Sequence, residues 1–319
     1  MCMFLGVLFC KKGSFWVQFY WINFPKYKSG DFQMAYPLME HPSGDGFFFD
    51  GAFYDVCSDK AQELSRPTDD RTYYETVRIK RGVLLFLEDH MARLTKSVAG
   101  LEDFPVDTKD ISDKAYSFLK EIDFKADGNI RIVLTKEHLL IHLVDVNVPD
   151  KEKFEKGINT CLFQWERQTP NLKIFRGDYK NAVNEKFKTE NAHGKPFELV
   201  LSDNEGKLYE GSMSNLFVIM DGAVYSAPDD KILIGITRRR VIEALKRSGL
   251  ELKTGMFTMD ELIKGNAAIF VSSTPFDILP VTYIDDHSFN SVNDPLLNMI
   301  SKAYAGYTEE YIADHLEVI

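Results

Sequence analysis

The sequence predicts a protein that mixes α-helices with β-strands and is long enough for two domains. Its 319 residues exceed the usual size of one domain, and length alone suggests about two. Short apolar runs bounded by turn residues alternate with segments whose apolar residues recur at helical spacing. The stretch from Phe197 to Arg238 shows both patterns, because a run of strand signals leads directly into a helix signal.

The elements of this stretch place a carboxylate next to a helix start. Asp221-Gly222 is a two-residue hairpin signal, and Gly235-Ile236-Thr237 opens the helix. Glu210 then lies between strands and close to the helix N-terminus, whose free N–H groups favour anions. Together these parts can hold an anionic, ring-containing ligand, although each taken singly is also compatible with an ordinary turn or helix start. The strands are predicted at Glu198–Leu201, Leu208–Glu210, Asn215–Met220 and Ala223–Ser226.

Earlier segments follow the same pattern of strands and helices. Asp50-Gly51 predicts a turn between two strands, and Arg81-Gly82 predicts another. The expected strands cover 46–56 as a hairpin, 73–80, 83–87, 129–135, 139–146 and 158–165, and the expected helices cover 88–99, 107–122 and 179–191.

Composition and charge argue against several classes of protein. A formal net charge of -10 argues against a general nucleic-acid or anionic-membrane partner, because affinity for phosphates comes from clustered Lys and Arg. The four cysteines form no CxxC pair, so neither a zinc site nor a disulfide framework is indicated, and no metal is expected. No apolar run approaches the roughly 20 residues of a membrane-spanning helix. A cytoplasmic protein is therefore expected.

Residues 1–35 form a leader that differs from the rest of the chain. A short apolar run precedes the basic pair Lys11-Lys12, which reverses the order of a signal peptide. The segment that follows is dense in aromatic residues without a clear period. Either Met34 is the natural start of the protein, or the leader is a real extension that packs on the body; we favour the first.

Four motifs occur in one order along the chain. They are YYETVRIKRGVLLFLEDHMARL at Tyr73–Leu94, EGSMSNLF at Glu210–Phe217, GITRRRV at Gly235–Val241 and SSTPFDILPV at Ser272–Val281. Together they resemble the class IV aminotransferases, which use pyridoxal phosphate. That family includes branched-chain aminotransferases, D-amino acid aminotransferases and aminodeoxychorismate lyases. The resemblance runs from about Gly46 to the C-terminus.

The resemblance implies two α+β domains, about residues 36–150 and 151–319, with pyridoxal 5'-phosphate in the cleft between them. Relatives are homodimers, so a homodimer is expected. The implied reaction moves an amino group from an amino acid, for example a branched-chain L-amino acid, to a 2-oxo acid such as 2-oxoglutarate. The aminodeoxychorismate lyases release pyruvate on the same scaffold, and a non-catalytic relative is a third interpretation. The short link Lys136–His138 lacks the longer loop of D-amino acid enzymes, which counts against that specificity.

The resemblance also implies roles for the motif residues. Glu210 would face the pyridine nitrogen and keep it protonated, because an adjacent carboxylate favours the charged form. The phosphate would lie at the helix start, with Arg93 as its counter-charge. Tyr74 and Arg78 share one face of a strand, which either lines the substrate side or packs in the sheet. The phosphate-binding residues are expected to be Ile236, Thr237, Ser273 and Thr274.

The implied chemistry further needs a lysine that forms an imine with the cofactor aldehyde and then moves a proton. In the family this lysine precedes a helix that leads to the strand before EGS-x-SN. Lys173 follows an aliphatic residue and precedes a predicted helix, whereas Lys180 lies within that helix. We assign the role to Lys173. Lys180 stays as the alternative, because Ile174-Phe175-Arg176 replaces the Asn-Tyr that often follows the family's lysine.

Overall fold

The computed structural model describes the chain at residues 3–11, 14–22, 35–99, 106–123, 125, 127–145, 148–167 and 169–316. Its first elements are strands β1 (Met3–Lys11) and β2 (Ser14–Ile22), which pair antiparallel. Both strands lie in the leader, where the sequence analysis predicts none. Met34, the expected natural start, lies outside the described residues.

The first large unit contains a six-stranded sheet, a separate pair of short strands, and helices packed on the six-stranded sheet. Its strands are β3 (Tyr36–Pro37), β4 (Pro42–Phe49), β5 (Ala52–Asp55), β6 (Pro67–Thr68), β7 (Tyr73–Lys80), β8 (Val83–Leu84), β9 (Gly128–Leu134) and β10 (Leu139–Val144). Its helices are α1 (Asp59–Leu64), α2 (Leu87–Val98) and α3 (Thr108–Glu121). The strand order is β5-β4-β10-β9-β7-β8, and β3 pairs with β6 apart from this sheet. Burial of Leu94, Phe118 and Ile132 in one apolar cluster holds α2 and α3 against the sheet.

The second unit begins after helix α4 (Lys151–Lys156). Its strands are β11 (Ile158–Gln164), β12 (Glu198–Ser202), β13 (Leu208–Gly211), β14 (Asn215–Met220), β15 (Ala223–Ser226), β16 (Leu252–Thr254), β17 (Ala268–Ser273), β18 (Asp277–Ile284) and β19 (His287–Ser288). Its helices are α5 (Gly177–Lys186), α6 (Ile236–Arg247), α7 (Met259–Lys264), a 3₁₀ turn at Ser291–Asn293, and α8 (Pro295–His315). The predicted boundary at 150/151 lies between the two sheets.

The sheet of the second unit closes on itself. Its strands follow the order β13-β12-β11-β18-β17-β14, and β14 pairs back to β13. The closing pair joins Glu210 to Asn215. The closure therefore occurs at the carboxylate that the sequence analysis selects.

All three predicted two-residue turns are confirmed, including Arg81-Gly82, which joins β7 to β8 with φ angles of 52° and 82°. Asp50 and Gly51 have φ angles of 47° and 90°, and Asp221 and Gly222 have φ angles of 51° and 70°. Left-handed pairs of this kind match the twist of the flanking strands, which explains why aspartate and glycine occur there.

Two predicted elements end at least three residues earlier than expected. The strand predicted at 83–87 stops at Leu84, because Phe86 adopts a left-handed φ of 55° and caps α2. The helix predicted at 179–191 is α5, which ends at Lys186. Asn191 instead forms a tight turn with Gly194, and its side chain donates to Asn159 at 2.8 Å.

Contacts between helices join the two units. Arg240 of α6 pairs with Asp89 of α2, and the Tyr311 hydroxyl of α8 donates to Glu88 of α2 at 2.7 Å. The position of α6 relative to α2 is thereby fixed. Among the described residues, no helix is long and apolar enough to cross a membrane.

Replacing Phe270 with alanine is expected to lower the free energy of unfolding by about 3–5 kcal/mol. The ring is fully buried and stacks on Phe217 with 4.6 Å between the centroids, so truncation leaves a cavity. Chemical denaturation followed by circular dichroism measures the change. The matched control is Phe154→Ala, whose ring is 43% exposed and which should cost about 0.5 kcal/mol or less. Equal losses for the two variants would contradict the assigned core.

Candidate active site

A large cavity lies between the two sheets. Its volume is about 920 Å³, within the range of ligand-binding clefts. Elements of both units border it, including β7, α2 and β9 from the first and α5, the β13–β14 turn and the start of α6 from the second. Of the site residues predicted from the sequence, those in its wall are Tyr74, Arg93, Lys173, Lys180, Glu210, Ile236, Thr237, Ser273 and Thr274.

Glu210 contributes a buried carboxylate to this wall. Its side chain is 2% exposed, and its Oε2 accepts a hydrogen bond from the Leu233 N–H at 3.2 Å. Its Oε1 lies 2.9 Å from Arg167 Nε, but the N–H is not aligned for a hydrogen bond. Among the described residues, Glu210 Oε1 and Arg167 Nε have no hydrogen-bond partner. One carboxylate oxygen of Glu210 is therefore left unsatisfied.

The charge of Glu210 changes close to neutral pH. Burial raises the pKa of this carboxyl to about 7, and the positive charge of Arg167 acts against the rise. A neighbouring charge can therefore decide whether Glu210 is ionised at neutral pH.

A second buried carboxylate, Glu198, organises the turn that follows Glu210. The hydroxyls of Ser212 and Ser214 donate to it at 2.5 and 2.8 Å. The N–H groups of Ser212, Met213 and Leu199 donate to it at 3.1, 3.2 and 2.8 Å. Because Glu198 is fully buried, these donors replace the water that a carboxylate otherwise needs.

The carbonyl groups of the same turn are occupied as well. The Tyr179 hydroxyl donates to Ser212 O at 2.8 Å, and the Ser273 hydroxyl donates to Met213 O at 2.7 Å. The Ser273 hydroxyl is thus bound within the protein, although the residue lines the cavity. Its neighbour Ser272 also lines the cavity, and its buried hydroxyl has no hydrogen-bond partner among the described residues.

The start of α6 supplies free backbone donors. Its N-cap is Gly235, which has no side chain to accept a hydrogen bond from the first turn. The first N–H groups of a helix have no partner within the helix. A Cβ at Gly235 would come within 2.2 Å of Asn215 Oδ1, so the close approach requires glycine. The buried residues Ile236 and Thr237 follow in the cavity wall. This arrangement suits a phosphate or a carboxylate.

Arg93 approaches the same region from the first unit. Its Nη1 donates to Ile234 O at 3.3 Å, while its Nε and Nη2 donate to Glu75 at 2.8 and 2.5 Å. His90 lies 2.7 Å from the same carboxylate. Burial raises the pKa of Glu75, but the charge of Arg93 and its hydrogen bonds outweigh this and hold the pKa at about 2. Glu75 therefore stays ionised and fixes the guanidinium.

The two candidate lysines differ in their partners. Both ammonium groups lie near the Tyr74 ring, at 4.6 Å from its centroid for Lys173 and 5.8 Å for Lys180. Lys180 pairs with Glu40 at 2.5 Å, and Arg131 pairs with the same carboxylate at 2.7 Å. Within the described part of the chain, Lys173 forms no ion pair with a carboxylate.

The pKa values of these amines follow from that difference. Burial, reinforced by the charge of Arg93, lowers the pKa of Lys173 to about 7. Burial also lowers the pKa of Lys180, but only to about 8, because the negative charge of Glu40 opposes the shift. Because Lys180 is paired with Glu40 and Lys173 has no such partner among the described residues, Lys173 is the more readily available nucleophile.

The two predicted substrate-side residues lie in different places. Tyr74 lines the cavity and stacks on Phe175 with 4.2 Å between the ring centroids. Arg78 does not line this cavity, and its guanidinium donates to the carbonyl of Pro275. Arg78 thus contacts, from outside, the loop that follows Thr274.

Among the charged residues around the cavity that were not predicted from the sequence are Glu75, Arg167 and Glu198. Glu75 and Glu198 lie within apolar strands, where a carboxylate indicates a buried cation or a set of hydrogen-bond donors. That signal could have identified them. Arg167 follows β11 in an irregular segment and gives no such signal, because only the fold brings it to Glu210.

Replacing Glu198 with glutamine is expected to lower the free energy of unfolding by about 1–3 kcal/mol, because the amide places a donor among groups that also donate. Chemical denaturation measures the loss. The matched control is Glu205→Gln in the exposed turn after β12, where the side chain is 78% exposed and no loss is expected. Unchanged stability of the Glu198 variant would contradict its role in the turn.

The stability of the ligand-free protein should depend on pH through Glu210. Its pKa is about 7 in the folded protein against an ordinary value of 4.5, so the folded state binds the proton more tightly. The stabilisation is fully present below the ordinary pKa and is lost as pH rises toward the folded pKa. Denaturation across this range should show a loss on the order of 3 kcal/mol that Glu210→Gln does not show. A pH-independent difference between the two proteins would refute the assignment.

Comparison with known proteins connects this geometry to one family. The class IV amino-transferase family matches residues 72–284, from just before β7 to the end of β18. The D-alanine aminotransferase of Bacillus licheniformis is 26% identical over 256 residues, which are 72% of this chain and 86% of that protein. The aminodeoxychorismate lyase of Bacillus subtilis (strain 168) is 25% identical over 254 residues, which are 72% of this chain and 83% of that protein.

A solved structure shares the fold. The branched-chain aminotransferase from the thermophilic archaeon Thermoproteus uzoniensis, solved with norvaline, superposes with a TM-score of 0.69 at 23% identity. The superposition covers 84% of this chain and 97% of that one. The two-domain α+β fold implied by the sequence motifs is confirmed. The chain belongs to the class IV aminotransferase family of enzymes.

Proposed function

We propose that the protein is a pyridoxal-phosphate-dependent aminotransferase. It moves an amino group from an amino acid, for example a branched-chain L-amino acid, to a 2-oxo acid such as 2-oxoglutarate. One observation carries this proposal: the Lys173 amine, the Glu210 carboxylate and the start of α6 with Arg93 converge on one cavity. An amine, an anion for a ring nitrogen and a cradle for a phosphate are the groups that this chemistry requires.

The residues of the cavity fit pyridoxal 5'-phosphate. The unsatisfied Oε1 of Glu210 is an acceptor for a protonated ring nitrogen. The free N–H groups at the start of α6 would hold the phosphate together with Arg93 and the unpartnered hydroxyl of Ser272. Thr237 and Thr274 add hydroxyls in the same wall.

When bound, the cofactor supplies an aldehyde and a ring that withdraws electrons. Lys173 supplies an amine that loses its proton near neutral pH, so it can attack a carbonyl and carry a proton. Glu210 would place a negative charge beside the ring nitrogen and favour its protonated form. The ring of Tyr74 covers the amine and limits the access of water to it.

The proposal extends to assembly and location. We propose a homodimer, as the family resemblance implies, and a location in the cytoplasm, as expected from the composition of the sequence. The net charge of -10 agrees with small-molecule partners rather than nucleic acid. Light scattering of the purified protein measures the mass in solution.

Release of pyruvate from aminodeoxychorismate is the second candidate function. The B. subtilis relative, which is similar over 254 residues, is an aminodeoxychorismate lyase. The same lysine and carboxylate would serve either reaction. A coupled lactate dehydrogenase assay detects pyruvate, and its release without any amino acceptor would contradict the transaminase proposal.

The lysine is tested by adding pyridoxal phosphate to the protein, reducing with borohydride and mapping the labelled peptide. The label is expected on Lys173, and its rate of formation should rise as pH increases through about 7, because the amine loses its proton there. Lys173→Ala should remove the label, whereas Lys188→Ala, at a side chain 69% exposed, should keep it. A label on Lys180 would overturn the assigned lysine, and no label on the wild type would contradict the cofactor.

A further inference from the structure

We propose that Arg167 is a positioning residue that favours the ionised form of Glu210 beside the ring nitrogen of the cofactor, and that Arg167 thereby influences the protonation of that nitrogen. The inference rests on the proposed function. Arg167 lies between β11 and α5, outside all four sequence motifs. It therefore adds a residue that motif comparison does not supply.

The guanidinium of Arg167 is held between two groups. Its Nε lies 2.9 Å from Glu210 Oε1, and its central carbon lies 5.2 Å from the centroid of the Tyr179 ring. Tyr179 is fixed in turn, because its hydroxyl donates to Ser212 O at 2.8 Å. A planar guanidinium suits a stacked and largely buried position better than an ammonium does.

Charges from several elements face Glu210. Lys173, before α5, favours the ionised carboxylate, while Glu198, from β12, opposes it. Tyr179, from α5, is held neutral, because burial raises the pKa of its hydroxyl. Arg167 exerts the largest of the effects that lower the pKa of Glu210. Without Arg167, the carboxyl would hold its proton at neutral pH and could no longer stabilise a protonated ring nitrogen.

Arg167 places a positive charge beside Glu210 without forming a hydrogen bond to its Oε1. In the pair of Arg93 with Glu75, two aligned N–H groups bind both carboxylate oxygens. Between Arg167 and Glu210, Nε and Oε1 are close but not hydrogen bonded. The oxygen therefore remains open to a ring N–H while the positive charge stays beside it.

The test compares pyridoxal phosphate with its 1-deaza analogue, in which a C–H group replaces the ring nitrogen. Binding to the cofactor-free protein is measured by quenching of its intrinsic fluorescence. Arg167→Gln should weaken the binding of pyridoxal phosphate about tenfold, which corresponds to one pKa unit at the ring nitrogen, and leave binding of the analogue unchanged. In a Glu210→Gln background, the same substitution should have no further effect.

A pH titration of the bound cofactor's absorbance gives a second readout. The pH at which the ring nitrogen loses its proton should be lower in Arg167→Gln than in the wild type. Arg247→Gln is the matched control, because Arg247 pairs with a different carboxylate, Glu310, at 2.6 Å and does not line the cavity. This control should bind both cofactors as the wild type does.

Three results would overturn the proposal. The first is an equal loss of affinity for the two cofactors in Arg167→Gln, which would make Arg167 structural. The second is wild-type affinity of this variant for both cofactors. The third is a loss of affinity from Arg167→Gln that is undiminished in the Glu210→Gln background. If Arg167→Gln does not fold, Arg167→Lys is measured instead. This variant retains the positive charge and should retain the preference for pyridoxal phosphate over the analogue. Loss of that preference would also overturn the proposal. A wild type that binds neither cofactor would instead refute the proposed function.

Discussion

The turn between β13 and β14 depends on the buried carboxylate of Glu198. That residue gathers the N–H and hydroxyl donors of the turn, and two side-chain hydroxyls occupy its carbonyls. The turn carries Glu210 at one end and Asn215 at the other, and Asn215 donates to Leu233 O at 2.8 Å in the loop before α6. One set of hydrogen bonds therefore fixes both the carboxylate and the helix start that face the cavity.

Pairing of opposite charges explains how the cavity can hold so many buried ions. A buried charge is costly unless a partner compensates it, and the cations around the amine have such partners. Lys173 has none among the described residues, so burial shifts its equilibrium toward the neutral amine. The lack of a partner thus distinguishes the reactive group from its neighbours. The compensated pairs are Arg93–Glu75, Arg167–Glu210 and Lys180–Glu40.

Local signals in the sequence predicted most of the helices and strands, because the spacing of apolar residues and the turns at glycine depend on only a few neighbouring residues. The strands around Asp221-Gly222 and the helix after Gly235 are confirmed for this reason. The closure of the second sheet was not predicted, because strand order depends on pairings between distant residues. Arg167 was missed for a related reason, since its partner Glu210 is far away in sequence. The segment after α5 is held by a side-chain contact of Asn191 with Asn159 that no local pattern encodes.

The most direct test of this account is a crystal structure of the protein grown with pyridoxal phosphate. The account predicts continuous electron density from Lys173 Nζ to the cofactor, with the phosphate at the start of α6 and the ring nitrogen beside Glu210. Density that joins the cofactor to Lys180, or a ring nitrogen turned away from Glu210, would contradict it.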